Sequence, residues 1–281
     1  MKKILKKFSR LLPDKIFICL KYFLVFKKKI DLKNPVSFNE KLQYLKLNDF
    51  DEIYTNLVDK YEVKKYISNR IGDEYIIPTL GIYDSWDEID FDTLPNQFVI
   101  KCTHDSGGIA ICRNKKDFDF EKAKKDINAS LKNNYYYSNR EKPYKNVKPR
   151  ILIEKYMEDK KTGQLIDYKF FAFDGNVQFM FVATDRNIHD TKFNFYDKDF
   201  NFINVKQHYP ISNKDIEKPK NYDKMIELSE ILSKGIKHVR VDWYEINGKL
   251  YFGELTFYHF GGFVPFEPER YDIEFGKYIK L

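Results

Sequence analysis

Cysteine is scarce in this chain of 281 residues, which has three: Cys19, Cys102 and Cys112. They form no CxxC pair and no even set, which argues against a disulfide framework and for a reducing cytoplasm. The five histidines, His104, His189, His208, His238 and His259, show no metal-ligand spacing. No GxSxG is present and no Cys–His pairing stands out, so the common nucleophile arrangements are missing. Long apolar runs are missing as well. Ile16 to Phe26, the longest near the start, is interrupted by Lys21 and is too short to span a bilayer. It has no small-residue cleavage site, so it does not read as a signal peptide. There is no internal repeat and no low-complexity tract.

Aromatic residues are plentiful instead, with 25 Phe and 21 Tyr. The length suffices for a substantial core, as one large domain or two smaller ones. The net charge of +7 is unevenly placed. Residues 1–30 hold ten Lys/Arg against one Asp, a local charge of +9 that leaves the remainder at about −2. Such an arm favours anionic surfaces, lipid headgroups or nucleic acid. No aromatic-plus-basic RNA motif accompanies it, so no nucleic-acid partner is expected. Its helix reads either as an interfacial amphipathic segment or as an ordinary helix packed on the body, the second being the commoner case.

Along the chain, one or two helices with a break at Leu12-Pro13-Asp14 are followed by a capping box. Ser37 is the N-cap and Glu40 its partner, opening a helix through Leu47. A further helix is expected over Asp59 to Ile71, a short strand over Tyr75 to Ile77, and a small helix or turn over Trp86 to Phe91. Phe98 to Cys112 reads as strand, polar loop and strand, with Lys101 ahead of Ser106, Gly107 and Gly108. Paired glycines let backbone N–H groups approach phosphate oxygens through unusual dihedrals. The stretch does not match GxxxxGK[ST], so it is no P-loop. A solvated helix over 117–133 and a mobile polar loop over Tyr135 to Lys148 come next. Strands follow at Ile151 to Met157, Leu165 to Phe173, Val177 to Thr184 and Lys192 to Tyr196, then a helix at Met225 to Ile236.

Val239 to Thr256 reads as a β-hairpin around Asn247-Gly248. Alternation puts Glu254 and Thr256 on one face of the second strand, and because that strand adjoins the first, Asp242 and Glu254 could converge. Two carboxylates and a hydroxyl on a rigid hairpin suit a hard cation such as Mg²⁺; an amphipathic hairpin with a solvated face is the rival reading. His104, in the loop after Lys101, would touch phosphate or substrate or else be merely exposed. Gly261 and Gly262 lie close to substrate or are plain turn glycines.

In order, the chain presents Lys60, Lys101 with its glycine loop, Glu154-Lys155-Tyr156 at a strand end, Asp167 and Lys169, and then Arg240, Asp242, Glu254 and Thr256. This series resembles the ATP-grasp superfamily, and most closely its TupA-like branch, from teichuronopeptide and surface-polysaccharide loci. The stretches that carry the likeness are Asn34-Pro35 to Lys41, Asp59-Lys60-Tyr61, Phe98 to Gly108, Asp167-Tyr168-Lys169 with Phe173-Asp174-Gly175, and Gly253 to Phe257. They span residues 30 to the C-terminus. The resemblance implies that Lys60 and Lys101 grip the phosphates of ATP beneath the Ser106–Gly108 loop. It implies that Glu154, Lys155 and Tyr156 border adenine and that Asp167 takes the ribose hydroxyls, a partnership with Lys169 being the alternative. Asp242 and Glu254 would hold Mg²⁺, with Arg240 facing the reacting phosphate. The related D-alanine–D-alanine ligases end in R-x-D…E-x-N, whereas here Thr256 replaces the asparagine.

The implied fold is α+β with mainly antiparallel sheets. It divides into a basic helical arm over 1–33 and an ATP-grasp unit over 34–281. That unit comprises a helical lead-in (34–75), a lysine and glycine-loop subdomain (76–148) and an adenine-hinge and metal-site subdomain (149–281). The implied activity is that of a carboxylate–amine ligase working through an acyl phosphate. Its partners would be a small or lipid-linked glycan bearing a carboxylate and an amine, an amino acid being one candidate. The expected location is the cytoplasm, at the inner membrane face. A glycosyltransferase is the first rival, but Asp197-Lys198-Asp199 lies in a polar turn without a nucleotide-sugar βαβ region. A non-catalytic nucleotide- or glycan-binding scaffold is the second, and Thr256 is its only support.

Overall fold

The structure, a computed structural model, describes residues 10–160, 163, 165–185 and 190–281. Two antiparallel sheets dominate it. The smaller runs in the order β1-β4-β2-β3, with β1 Thr79–Tyr83, β2 Phe98–Cys102, β3 Ile109–Cys112 and β4 Ile151–Lys155. The larger runs β10-β9-β5-β6-β7-β8, with β5 Asp167–Phe173, β6 Asn176–Thr184, β7 Lys192–Asp197, β8 Phe202–Ile203, β9 Val239–Ile246 and β10 Lys249–Thr256. This is the expected α+β, mainly antiparallel architecture.

One face of the smaller sheet, carrying Phe98, Ile100, Cys102, Ile151 and Ile153, closes a core with Trp86 and with Ile127 of α5, Phe120–Leu131. The larger sheet is covered on one side by α7, Tyr222–Ser233, where Ser229 Oγ accepts from the buried Trp243 indole at 2.8 Å. β5 is buried along its whole length, which suits its four aromatic residues, Tyr168, Phe170, Phe171 and Phe173. Helix α2, Phe38–Asn48, opens with both hydrogen bonds of the capping box between Ser37 and Glu40. It packs on α8, Arg270–Gly276, where Asp272 accepts from the backbone and side chain of Asn39.

Several local expectations shift. The helix foreseen over 59–71 begins only at Val63, as α4, Val63–Ile71, and a separate helix, α3, Ile53–Val58, precedes it. The Asp59 carboxylate accepts from the N–H groups of Tyr61 at 2.7 Å and Glu62 at 3.1 Å, and this side-chain turn replaces helix between them. Residues 75–77 do not form a strand; a 3₁₀ turn over Asp73–Tyr75 leads to β1 instead. The segment 135–148 is no loose loop. It folds into α6, Tyr136–Asn139, and a 3₁₀ turn, and buries Tyr136, Arg140, Glu141 and Val147. Near the N-terminus, α1, Asp14–Phe26, lies against the body through Ile18 and Tyr22. His189 lies outside the described residues.

Candidate functional site

The site begins with register. From the turn, Ile246 pairs with Lys249 and Trp243 with Phe252, a count that would set Asp242 opposite Gly253 and turn Glu254 toward the core. The pairing slips by one before Leu255, which opposes Val241. This is a β-bulge: Gly253 and Glu254 together oppose Asp242, and Glu254 is re-aimed to its side. Gly253 allows the close approach, since a Cβ there would lie 3.1 Å from the Asp242 carbonyl and 3.2 Å from the Tyr244 ring. On the other side of β9, Lys169 stands opposite Asp242 and Asp167 opposite Tyr244.

These side chains form one charged network. Arg240 donates from Nε to Asp242 Oδ1 at 2.6 Å and from Nη2 to Asp242 Oδ2 at 2.7 Å and Glu254 Oε1 at 3.0 Å. Its Nη1 lies 2.7 Å from His259 Nδ1. An arginine can only donate, so His259 accepts there, and its Nε2–H donates to Gln207 Oε1 at 2.9 Å. Burial and the charge of Arg240 hold His259 well below the usual histidine range, so it stays neutral. Lys169 lies against both Asp242 and Asp167, the latter at 3.1 Å, which makes Asp167 a lysine partner. Burial alone would raise the Glu254 carboxyl, but Lys169, Arg240 and Lys60 outweigh it and hold it low.

Across the cleft, Lys101 Nζ reaches Glu154 Oε2 at 2.6 Å, and Lys64 holds the other oxygen of the same carboxylate. These two lysines keep Glu154 ionised against the burial that would raise it. Lys60 donates to the carbonyl of Asp105, which ties α3–α4 to the loop after β2. Burial lowers the Lys60 ammonium, an effect that Glu254 and Asp105 oppose. In the loop, the Asp105 carboxylate accepts from Gly108 N at 3.1 Å, more distantly from Gly107 N, and from the Ser130 hydroxyl. Contrary to expectation, neither Gly107 nor Gly108 has a positive φ. Gly108 is small because a Cβ would meet Ser130 and Cys102, whereas beside Gly107 there is open space. His104 is not exposed; its Nε2 lies 3.1 Å from the Asn133 carbonyl, beneath the loop.

Three cavities adjoin here. A cleft of about 220 Å³ is lined by Lys60, Lys101, Ser106, Gly107, Gly108, Glu154, Asp167, Lys169 and Glu254. It shares Lys101, Glu154 and Asp167 with a slot of about 330 Å³ that contains Lys155 and Tyr156. The slot is walled by Ile77, Val99, Ile109, Ile111 and Met157, which explains why Ile109 and Ile111 are exposed. A flat apolar ring with a polar edge fits that chemistry. On the other side the cleft shares Ser106, Lys169 and Glu254 with a cavity of about 300 Å³ holding Arg240, Thr256, Glu141 and several aromatic rings. Asp242 lines none of the three; it is 1% exposed, behind Arg240 and Lys169.

Sequence reasoning missed Lys64, His259, Glu141 and Lys46. The buried Lys46 ammonium reaches Gln43, the Asn139 carbonyl and the Gly261 carbonyl, and so holds the turn behind His259. None carries a motif; each is identified by tertiary contact alone. For Mg²⁺, Asp242, Glu254 and Thr256 offer oxygen donors, with the Thr256 hydroxyl 3.3 Å from Glu254 Oε1 and the Arg240 guanidinium on both carboxylates. That set matches a hard cation that also takes phosphate oxygens. Among the described residues no group of three His, Cys, Asp or Glu is gathered for a metal.

Solved structures similar to the chain include D-alanine–D-alanine ligase from Bacillus anthracis complexed with ATP. It is 17% identical with a TM-score of 0.42, over 71% of this chain and 54% of that one. The Helicobacter pylori D-alanine–D-alanine ligase is 14% identical with a TM-score of 0.40, over 71% and 54%. The ATP-grasp ligase PsnB complexed with minimal precursor, Mg and ADP is 8% identical with a TM-score of 0.42, over 78% and 57%. The chain thus spans about half the length of these structures. It matches none of the curated proteins with which it was compared. The model of the TupA-like ATP-grasp family matches residues 40–280. The chain belongs to the TupA-like ATP-grasp family.

Proposed function

We propose that the protein is an ATP- and Mg²⁺-dependent carboxylate–amine ligase that amidates a sugar acid in cell-surface polysaccharide biosynthesis. The observation that carries this reading is the continuity of the three cavities. An apolar slot, a lysine- and loop-lined cleft and an aromatic, acid-bearing cavity meet in sequence around Lys101, Ser106, Lys169 and Glu254. In that order they suit adenine, the phosphates and the group to be activated.

Lys60 and Lys101 would neutralise phosphate charge, with Lys101 and Lys64 exchanging Glu154 for phosphate oxygens. Glu254, which lines the cleft, and Asp242, once Lys169 yields its place on Asp242 Oδ2, would hold Mg²⁺, and the ion would supply charge neutralisation for the ATP phosphates. Arg240, fixed by Asp242, Glu254 and His259, presents a preorganised cation to charge developing at the transferred phosphoryl group. In the overall reaction a carboxylate becomes an acyl phosphate, and an amine then displaces phosphate to leave an amide, ADP and inorganic phosphate. Ser106 at the junction and Glu141 at the far wall would position these substrates.

The same reading places the protein at the cytoplasmic face of a membrane, where lipid-linked glycans are built, with residues 1–30 near anionic lipid. An ADP-release screen of uronic acids against amino acids tests the chemistry. Release that requires both classes supports it, and release with neither rejects it.

A further inference from the structure

We propose that the outward face of α1 docks on an anionic lipid bilayer and holds the aromatic cavity beside the membrane. The docking stands on its own observations; the identity of what is delivered to the cavity rests on the ligase reading.

Helix α1 has two unlike faces. Ile18 and Tyr22 are fully buried, in a cluster with Phe263. Lys21 on that side donates to the Ser138 carbonyl at 3.0 Å and to Asn139 Oδ1 at 2.6 Å. The other side exposes Ile16 at 48%, Leu20 at 51%, Phe23 at 49% and Leu24 at 65%, with Leu11 at 81% just before the helix. Positions 16, 20, 23 and 24 follow the i, i+4, i+7, i+8 spacing of a single helical stripe. So many large apolar side chains on one stripe mark an interaction surface.

Charge chooses the partner. Lys15 in the first turn and Lys27 and Lys29 just past the helix end are exposed and form no ion pair among the described residues, while Lys28 reaches Glu269. The one acid of the helix, Asp14, is taken by Arg140 at 3.1 Å. A stripe of apolar residues rimmed by free lysines repels a second copy of itself and complements a surface of acyl chains under anionic headgroups. No helix among the described residues is long and apolar enough to cross a membrane, so contact from the surface is the geometry left to α1.

The buried face of α1, one helix diameter or about 10 Å from the docked face, lies next to the cavity wall. Asn139, which receives Lys21, donates to Glu141 Oε1 at 3.1 Å, and Glu141 lines the aromatic cavity. Phe263, beneath Ile18 and Tyr22, lies two residues after Gly261, another lining residue. A substrate carried on a lipid would thus meet the cavity near the surface that α1 touches.

The test is sedimentation of the full chain with vesicles of phosphatidylcholine alone or with about 30 mol % phosphatidylglycerol. The wild type is expected to sediment with the anionic vesicles only and to be released by about 0.5 M salt. The triple variant Leu20→Ser, Phe23→Ser, Leu24→Ser should lower the bound fraction about tenfold while keeping the wild-type melting temperature, since all three side chains face outward. A wild type that stays in solution with anionic vesicles overturns the proposal. So does a triple variant that sediments equally, or a wild-type dimer that the triple variant makes monomeric without any lipid binding. ATP binding measured on the same samples reports the ligase reading separately: vesicle binding without ATP binding leaves the docking intact and removes the delivery role.

Discussion

Asp242 and Glu254 share one face of the hairpin only because β10 gains a residue between Phe252 and Leu255. Regular pairing from the Asn247-Gly248 turn would send Glu254 to the opposite side. Gly253→Val therefore tests the bulge. Its side chain would press on the Asp242 carbonyl, 3.1 Å from the Cβ position, and on Tyr244. The expected cost is about 1–3 kcal/mol of stability, with a Mg²⁺-dependent ATP affinity at least about tenfold weaker. Chemical denaturation and calorimetric titration check the two effects.

Arg240 is oriented by His259 as well as by the acids. His259→Phe keeps the ring and removes the acceptor 2.7 Å from Nη1. Loss of one buried charged hydrogen bond of about 1.5–3 kcal/mol predicts single-turnover ADP formation slowed by roughly 10- to 150-fold. ATP binding should change far less. Equal losses in both would mean that His259 is structural only.

Glu154 is 6% exposed in its side chain and keeps two lysines together. Glu154→Gln leaves Lys64 and Lys101 facing each other without a counter-charge. The variant should lose about 1–3 kcal/mol of stability and regain most of it on saturation with ATP, whose phosphates replace the lost charge. Urea denaturation with and without nucleotide measures both.

His238 is buried, stacked on Phe173, and hydrogen-bonded through Nδ1 to the Ala172 carbonyl at 3.2 Å. Burial lowers its pKa to about 3. Its folded value thus lies below the unfolded value of about 6.5, so the unfolded chain takes up the proton first. This contribution to stability is fully present above about pH 6.5. It is lost as the pH falls toward 3, at about 1.4 kcal/mol per pH unit. In His238→Phe the acid slope between pH 6.5 and 5 should shrink by about that amount, as denaturant midpoints would show.

The larger features were legible because they depend on local pattern. Alternation marked β2, β9 and β10, the Asn-Gly pair marked the turn, and Ser37 with Glu40 marked the start of α2. What stayed hidden depends on contacts far apart in sequence. Nothing near Lys64 shows that it shares Glu154 with Lys101, and His259 meets Arg240 only through the fold. The polar letters of 135–148 suggested mobility, yet Arg140 is buried against Asp14 of α1 and Glu141 against Asn139, whose carbonyl accepts from Lys46 of α2. The Asp59 turn looked like continuous helix because its carboxylate competes for backbone N–H groups that the pattern assigns to the helix. Gly253 was the one local sign of the bulge.

The account rests on nucleotide held between Lys60 and Lys101 on one side and the carboxylates of the larger sheet on the other. The most direct measurement is ATP binding by titration calorimetry, with Mg²⁺ and with EDTA, for the wild type, Asp242→Asn and Glu254→Gln. The account predicts binding that requires Mg²⁺ in the wild type and falls at least about tenfold, roughly 1.4 kcal/mol, in each variant. Binding as tight in EDTA as in Mg²⁺, or unchanged in both variants, would contradict it.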